Sequence, residues 1–275
     1  MQIFAILSLI LYGLSCFFAK EIETAASFPG VFRNSTPKKN VDINLEIIQI
    51  KGKDGNTLHG VFLNKNAKKT VYYFHGNGGS LPHFYDEIKY IGDLGYNVFS
   101  YDYPGYGISQ GFPDKESIDD ASEKIYKHLK IRKDWQEKDI IVWGYSIGSA
   151  AAIDFASKHK NIDRMILLAP ISSRYDMSTH LFGFPLQKLL AKEDSFVSYE
   201  QVKHFDFPVF IVHAKDDKLV PFWQGQKVFD NYKGEKYLLD LKSGGHNTIL
   251  KKHGEKLRSP FRVFLSMEKT KNPSQ

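Results

Sequence analysis

From Leu45 onward the chain alternates between short runs rich in β-branched and aromatic residues and longer amphipathic stretches. That alternation restricts the fold more than any other feature. LEIIQI and TLHGVFL, joined by KGKDGN, read as a hairpin with Asp54-Gly55 as the turn signal. TVYYF, NVFSYDY, IIVWGY, RMILLA, PVFIVHA and KYLLDL read as further strands. Between them, HFYDEIKYIGDLG reads as a helix closing at Gly95, and DKESIDDASEKIYKHLK as one with an acidic start and a basic end, as the helix dipole favours. A helix is expected through Ser149 to Lys158, and PFRVFLSMEK supplies a last one. Strands interleaved with helices imply an α/β fold whose sheet is mostly parallel and covered on both faces. Ligands bind such sheets beyond the carboxyl ends of the strands, so reactive residues are expected just after strands.

The chain of 275 residues, 42% hydrophobic, suffices for one sizeable core. Its net charge of +6 is concentrated in part near the C-terminus, in Lys251, Lys252, Lys256, Arg258, Arg262, Lys269 and Lys271. This reads as a solvated helix face and a basic tail, with attraction to an anionic membrane as the sharper alternative. No nucleic-acid partner is expected, because no binding motif accompanies the charge. The single cysteine, Cys16, excludes an intrachain disulfide and a cysteine-based metal site.

Ile3 to Ala19 is an uncharged, mostly apolar run of 17 residues with no lysine or arginine before it. That is the short edge of a membrane span and slightly beyond a usual export signal. Residues 1–20 are therefore expected to be an N-terminal membrane anchor or signal segment, placing the protein at a membrane. A cleaved export signal and a lipoprotein signal acylated at Cys16 are the alternatives, the latter opposed by Gly13. Cys16 also stands where palmitoylation is feasible. Residues 21–43, with FPG and NSTPKKN, read as a linker, residues 44–270 as the folded domain and residues 271–275 as a tail.

Two serines fit the pattern G-x-S-x-G: Ser109 in GISQG and Ser146 in GYSIG. Ser146 follows a strand and precedes IGSAAAIDFA, a run of small helix-compatible residues. Strand, sharp turn and helix expose a hydroxyl above a sheet, and the helix N-terminus favours developing negative charge. Ser109 lies among Pro104, Gly105, Gly107, Gly111 and Pro113, which rule out a following helix. Ser146 is thus the candidate nucleophile and Ser109 a loop residue.

A serine hydroxyl needs a base, and the base an orienting carboxylate. His246, in KSGGHNT directly after KYLLDL, sits at the correct sheet edge. His253 lies amid lysines on a surface helix, and His213 is hemmed in by apolar residues as a core histidine. VHAKDDKLVP offers Asp216 and Asp217, whose adjacent side chains diverge; the spacing to Val220-Pro221 favours Asp217 and leaves Asp216 as a turn residue. An oxyanion hole needs two backbone N–H groups. Ile147, after the serine, is one candidate. HGNGGS, after TVYYF, offers the other, with Asn77 as donor and Gly76, Gly78 and Gly79 permitting close approach.

With these pieces the chain resembles the α/β-hydrolase superfamily. DGNTLHGVF, YYFHGNGG, YDYPGYGISQG, GYSIGS, HAKDDKLVP and GGHN occur in the family's order over about Leu45 to Glu268. The branch it looks most like is the membrane-tethered, short-capped serine hydrolases of the ABHD type, which include lysophospholipid and thioester hydrolases. The resemblance implies an eight-stranded, mostly parallel sheet with helices on both faces and a short helical cap over residues 171–206. It implies Ser146 as nucleophile, Asp217 as acid, His246 as base, Asn77 and Ile147 as oxyanion donors, and YDYPGYG as the active-site floor. Ala214 stands where the family often has glycine. No cofactor and no metal are expected, and the chain is expected to be a monomer. The expected function is hydrolysis of ester or thioester bonds in lipid-like or acylated substrates. A serine peptidase, an acyltransferase and a non-catalytic binding protein on the same fold are the alternatives.

Overall fold

A computed structural model describes residues 27–32, 43–52, 55–185, 188 and 193–268. The segment expected as an anchor or signal and the short tail lie outside the described residues, as does part of the expected cap. No helix among the described residues is long and apolar enough to cross a membrane.

Eight strands form one sheet: β1 (Glu46–Lys51), β2 (Thr57–Leu63), β3 (Thr70–Phe74), β4 (Asn97–Tyr101), β5 (Ile140–Tyr145), β6 (Arg164–Leu168), β7 (Val209–Ala214) and β8 (Lys236–Leu241). Their order is β1-β2-β4-β3-β5-β6-β7-β8. β2 pairs antiparallel with both β1 and β4, and the other pairings are parallel. The chain winds from β3 outward to β4, then returns past β3 to β5. The order therefore reverses between β3 and β5, which is where a crevice opens at the strand ends. Phe74 pairs with Gly144 in this register, so the residues following β3 and β5 emerge side by side.

Both sheet faces are buried, yet the period of two persists. Tyr72, Phe74, Phe99, Tyr101 and Val142 point to one side, while Val71, Tyr73, Val98, Ile141 and Trp143 point to the other. The first face is covered by α2 (Lys115–Lys133) and α3 (Ile147–Lys158), through Ile118, Ile125, Leu129, Ile153 and Phe155. The second is covered by α1 (Tyr85–Gly92) and α7 (Ile249–Ser266), through Ile88, Ile91, Leu257, Phe261 and Phe264. The remaining helices among the described residues are α4 (Arg174–Phe182), α5 (Ser198–Gln201) and α6 (Phe222–Asn231).

Local chemistry fixes the helix ends. The Asp114 side chain accepts the Ser117 N–H at 2.8 Å while Ser117 Oγ accepts the Asp114 N–H at 2.9 Å. This reciprocal cap starts α2, and Asp134 closes it in a left-handed conformation. The last helix was expected to begin at Pro260, but it begins at Ile249 and carries Pro260 inside. The apolar stripe of Ile249, Leu257, Phe261, Phe264 and Leu265 outweighs the one backbone bond that proline removes.

The C-terminus of α7 is held by Arg164, only 2% exposed. Its Nη1 donates to the Phe264 carbonyl and its Nη2 to the Met267 carbonyl at 2.8 Å, while Nε meets Asp163 at 2.7 Å. The guanidinium thus adds donors to carbonyls at the end of the helix, and its charge opposes the negative helix end.

Residues Pro29–Phe32 form a single 3-10 turn within the segment expected as a linker. Phe28, just before it, is 1% exposed and belongs to the same core cluster as Tyr103 and Tyr106.

Candidate active site

β5 delivers Ser146 on a strained turn, with φ 57° and ψ −125°. Such torsions are costly for a residue with a Cβ and persist only where the surroundings enforce them. The surroundings here are two glycines. A Cβ on Gly144 would lie 2.5 Å from Ser149 Cα, and one on Gly148 would lie 2.2 Å from the Phe74 carbonyl oxygen. Both glycines therefore let α3 press against the strand ends and carry Ser146 to the β3–β5 crevice. The Ser146 N–H is tied to the Leu168 carbonyl at 2.9 Å.

The loops after β7 and β8 bring in the other two candidates. His246 Nε2 lies 2.8 Å from Ser146 Oγ, and His246 Nδ1 lies 2.7 Å from Asp217 Oδ2. A carboxylate can only accept, so it fixes the proton on Nδ1 and leaves Nε2 free to accept from the serine hydroxyl. Ser146 and His246 are each 8% exposed and Asp217 is 5% exposed.

Asp217 is surrounded by donors. Its Oδ1 accepts the Leu219 and Val220 N–H groups, each at 2.9 Å. His213, whose Nε2 donates to the Val220 carbonyl at 2.8 Å, also approaches Asp217 Oδ2 to 3.5 Å. Burial pushes the Asp217 carboxyl up, but hydrogen bonds from His213, His246 and the Val220 N–H together hold it well below the usual range. The site thus keeps this group ionised.

Asp216, expected as a turn residue, is exposed, and its Oδ1 accepts the Gly245 N–H at 2.8 Å. Tyr145 OH donates to the His246 carbonyl. These two contacts hold the histidine loop from either side, and neither was legible in the sequence.

Asn77 and Ile147 both line the cavity that contains Ser146 and His246. The YDYPGYG segment lies beneath the Asn77 loop. Tyr103 OH donates to the His75 carbonyl at 2.7 Å, Tyr106 OH donates to Asn77 Oδ1, and Asp102 Oδ1 accepts the Leu81 N–H at 2.6 Å. Ser109, the other serine in the five-residue pattern, sits apart from this arrangement. Its Oγ accepts the His59 N–H at 2.9 Å and so pins the loop to β2.

Behind the Asn77 loop, His75 is fully buried, with Nε2 3.7 Å from Asp102. Burial lowers His75 to about 4, outweighing the Gly76 and Tyr101 carbonyls that favour its charge. Burial raises Asp102 to about 7, outweighing the Leu81 N–H. A carboxyl raised in the folded state binds its proton more tightly there than in the unfolded chain. Its contribution to stability is therefore full below the ordinary carboxylate range and is lost as pH rises towards 7. Asp102→Asn retains an acceptor for Leu81 and cannot ionise. It is expected to raise stability at pH 8 by about 4 kcal/mol and to change it little at pH 4. Urea unfolding at the two pH values checks this.

The cavity has a volume of about 290 Å³. Its walls are mainly apolar, from Phe84, Ile171, Met177, Leu181, Phe182 and Leu219. Among the described residues that line it, Arg174 and His246 are the only ones with a basic group, and none is Asp or Glu. Arg174, Met177, Leu181 and Phe182 come from α4, within the segment expected as a cap.

A family model described as serine aminopeptidase, S33 (Hydrolase_4), matches residues 65–195. That span holds the Asn77 loop and Ser146 and stops before Asp217 and His246. Alpha/beta hydrolase domain-containing protein 17B of Homo sapiens is 28% identical over 229 residues, which are 82% of this chain and 76% of that protein. The lysophosphatidylserine lipase ABHD12 of Danio rerio is 30% identical over 184 residues, 60% of this chain and 48% of that protein, so the match spans about half of that relative. A solved esterase from Pyrococcus furiosus shares the fold, with a TM-score of 0.68 and 22% identity over 84% of this chain and 93% of that one. An alpha-beta hydrolase from Vibrio vulnificus does so with a TM-score of 0.69 and 17% identity over 88% and 93%. Sheet order, helical layers and these relatives converge: the chain has the α/β-hydrolase fold and is similar to ABHD-type α/β hydrolases.

Proposed function

We propose that the protein is a serine hydrolase of carboxylic ester or thioester bonds. In this reading Ser146 attacks the carbonyl while His246 Nε2 takes its proton. Asp217 stabilises the resulting imidazolium, and the Asn77 and Ile147 N–H groups hold the oxyanion. The tetrahedral intermediate collapses with cleavage of the ester or thioester bond, and the alcohol or thiol departs with the proton from His246 Nε2. The acyl-enzyme then reacts with water that His246 activates, which releases the acid and restores the serine. The observation that carries the proposal is the unbroken chain from Ser146 Oγ to His246 at 2.8 Å and on to Asp217 at 2.7 Å.

The apolar cavity supports an acyl chain as the group held beside Ser146. The name of the zebrafish relative, a lysophosphatidylserine lipase, points in the same direction. With the apolar run Ile3 to Ala19, it also supports a lipid ester met at a membrane. The family description raises a second reading, an aminopeptidase. Recognition of a free α-amino group calls for a carboxylate near the scissile bond. The described cavity lining offers Arg174 instead, so the ester reading is preferred.

A substrate panel tests the choice. p-Nitrophenyl esters of increasing chain length are expected to be turned over, with KM falling as the acyl chain lengthens. An aminoacyl p-nitroanilide is expected to react at least about 100-fold more slowly in kcat/KM, since a misplaced or unpaired polar group costs a few kcal/mol. Faster cleavage of the anilide than of any ester would overturn the ester reading. Full-length protein is further expected to sediment with membranes, and its recovery in the soluble fraction would contradict membrane association.

A further inference from the structure

The backbone of Ser27–Phe32 brackets the Asn77 side chain from 47 to 50 positions away in sequence. The Gly30 N–H donates to Asn77 Oδ1 at 3.3 Å, and Asn77 Nδ2 donates to the Ser27 carbonyl at 2.8 Å. Tyr106 OH donates to the same Oδ1. All the polar capacity that the Asn77 side chain presents to this segment is thus used to hold one geometry.

The fit is close as well as polar. A Cβ on Gly30 would lie 2.5 Å from Tyr106 Cε1 and 2.7 Å from the Asn77 carbonyl oxygen. Only glycine lets the two backbones approach so nearly. Phe28, 1% exposed, anchors the segment in the core. Ser27 and Pro29 line the same cavity as Ser146.

Asn77 needs such a hold. It is followed by Gly78 and Gly79 and preceded by Gly76, and Gly79 has φ 156°. Glycines leave backbone torsions free to turn, so the peptide carrying the Asn77 N–H has few local restraints. A fixed side chain supplies them. Misplacement of a catalytic group by about 1 Å costs on the order of 100-fold in rate.

We infer that residues Ser27–Phe32 form a strap that completes the active site, positioning the Asn77 N–H towards the oxyanion and closing one wall of the acyl cavity. The inference rests on the proposed role of Asn77 in the hydrolase. It makes Gly30, Phe28 and Tyr106 positioning residues, because they act through Asn77 and not on the substrate. It also ties catalysis to the N-terminal end of the chain. Residues 20–26 alone separate the apolar run ending at Ala19 from the strap, a reach of at most about 25 Å.

The test uses the full-length chain with Gly30→Ala and Phe28→Ala as two separate ways of displacing the strap. p-Nitrophenyl acetate and p-nitrophenyl decanoate are the substrates, and thermal melting shows which variants are folded at the assay temperature. Both folded variants are expected to lose about 10- to 100-fold in kcat on the acetate ester, whose short chain does not need the wall. KM for the decanoate ester is expected to rise in addition. Asn77→Ala is expected to cost a similar factor, and combining it with Gly30→Ala is expected to add little, as for residues acting as one unit.

A wild-type kcat on the acetate ester in folded Gly30→Ala or Phe28→Ala overturns the strap, whatever happens to the melting temperature. Fully multiplicative losses in the double variant overturn it too. A wild type that hydrolyses neither ester overturns the role of Asn77 and the strap with it. An active wild type with unaffected variants overturns the strap alone.

Discussion

Replacement of Ser146 by alanine is expected to lower kcat for ester hydrolysis by about 10⁶-fold, the loss typical when a nucleophile that works with a base and an oxyanion hole is removed. The fold should survive the change. Alanine removes one oxygen from a side chain that is 8% exposed and inherits the same backbone torsions, with Gly144 and Gly148 still admitting the close packing of α3 against the strand ends. The melting temperature is therefore expected to move by no more than a few degrees. Ser109→Ala is expected to behave in the opposite way. Its hydroxyl holds the His59 N–H, so the loss there falls on stability, about 1 kcal/mol, and not on kcat. Steady-state kinetics beside thermal melts separates the two serines.

Asp217→Asn is expected to reduce kcat by about 10⁴-fold, and the reason is tautomeric. The Leu219 and Val220 N–H groups both donate to Oδ1. An asparagine will therefore keep its carbonyl oxygen there and turn its NH₂ towards His246. An NH₂ donates to Nδ1, which moves the ring proton to Nε2. The nitrogen facing Ser146 then carries a hydrogen and can no longer accept one. His213 Nε2 also loses the negative oxygen it approaches at 3.5 Å. KM should change much less than kcat, because Asp217 is not among the residues lining the cavity. A proportional rise in KM with kcat unchanged would contradict the assigned role.

The strands were legible because their residue types and spacing are local signals. TVYYF, IIVWGY and KYLLDL correspond to β3, β5 and β8 residue for residue. The start of α7 was not, because Gly254 and Pro260 interrupt a stripe that becomes visible only when Leu257 and Phe261 are seen against the sheet. Ser146, His246 and Asp217 could be picked out as neighbours because strand ends in a parallel sheet converge on one edge. The supports around them could not. Tyr145 touching His246 and Asp216 holding Gly245 depend on loop conformation. Arg164 capping α7 is a contact across 100 positions. FPG reads as a turn in a polar linker, and nothing near it in sequence reveals that Phe28 is a core residue or that Gly30 meets Asn77.

Support for the proposed catalytic apparatus therefore comes from distant parts of the chain, and its proposed centre is a single hydroxyl. Labelling with a fluorophosphonate probe addresses that centre most directly, because the probe reacts only with an activated serine. The wild type and Ser109→Ala are expected to label, and Ser146→Ala is expected not to. Labelling of folded Ser146→Ala, or failure of the folded wild type to label, would contradict the assignment of Ser146 as the nucleophile.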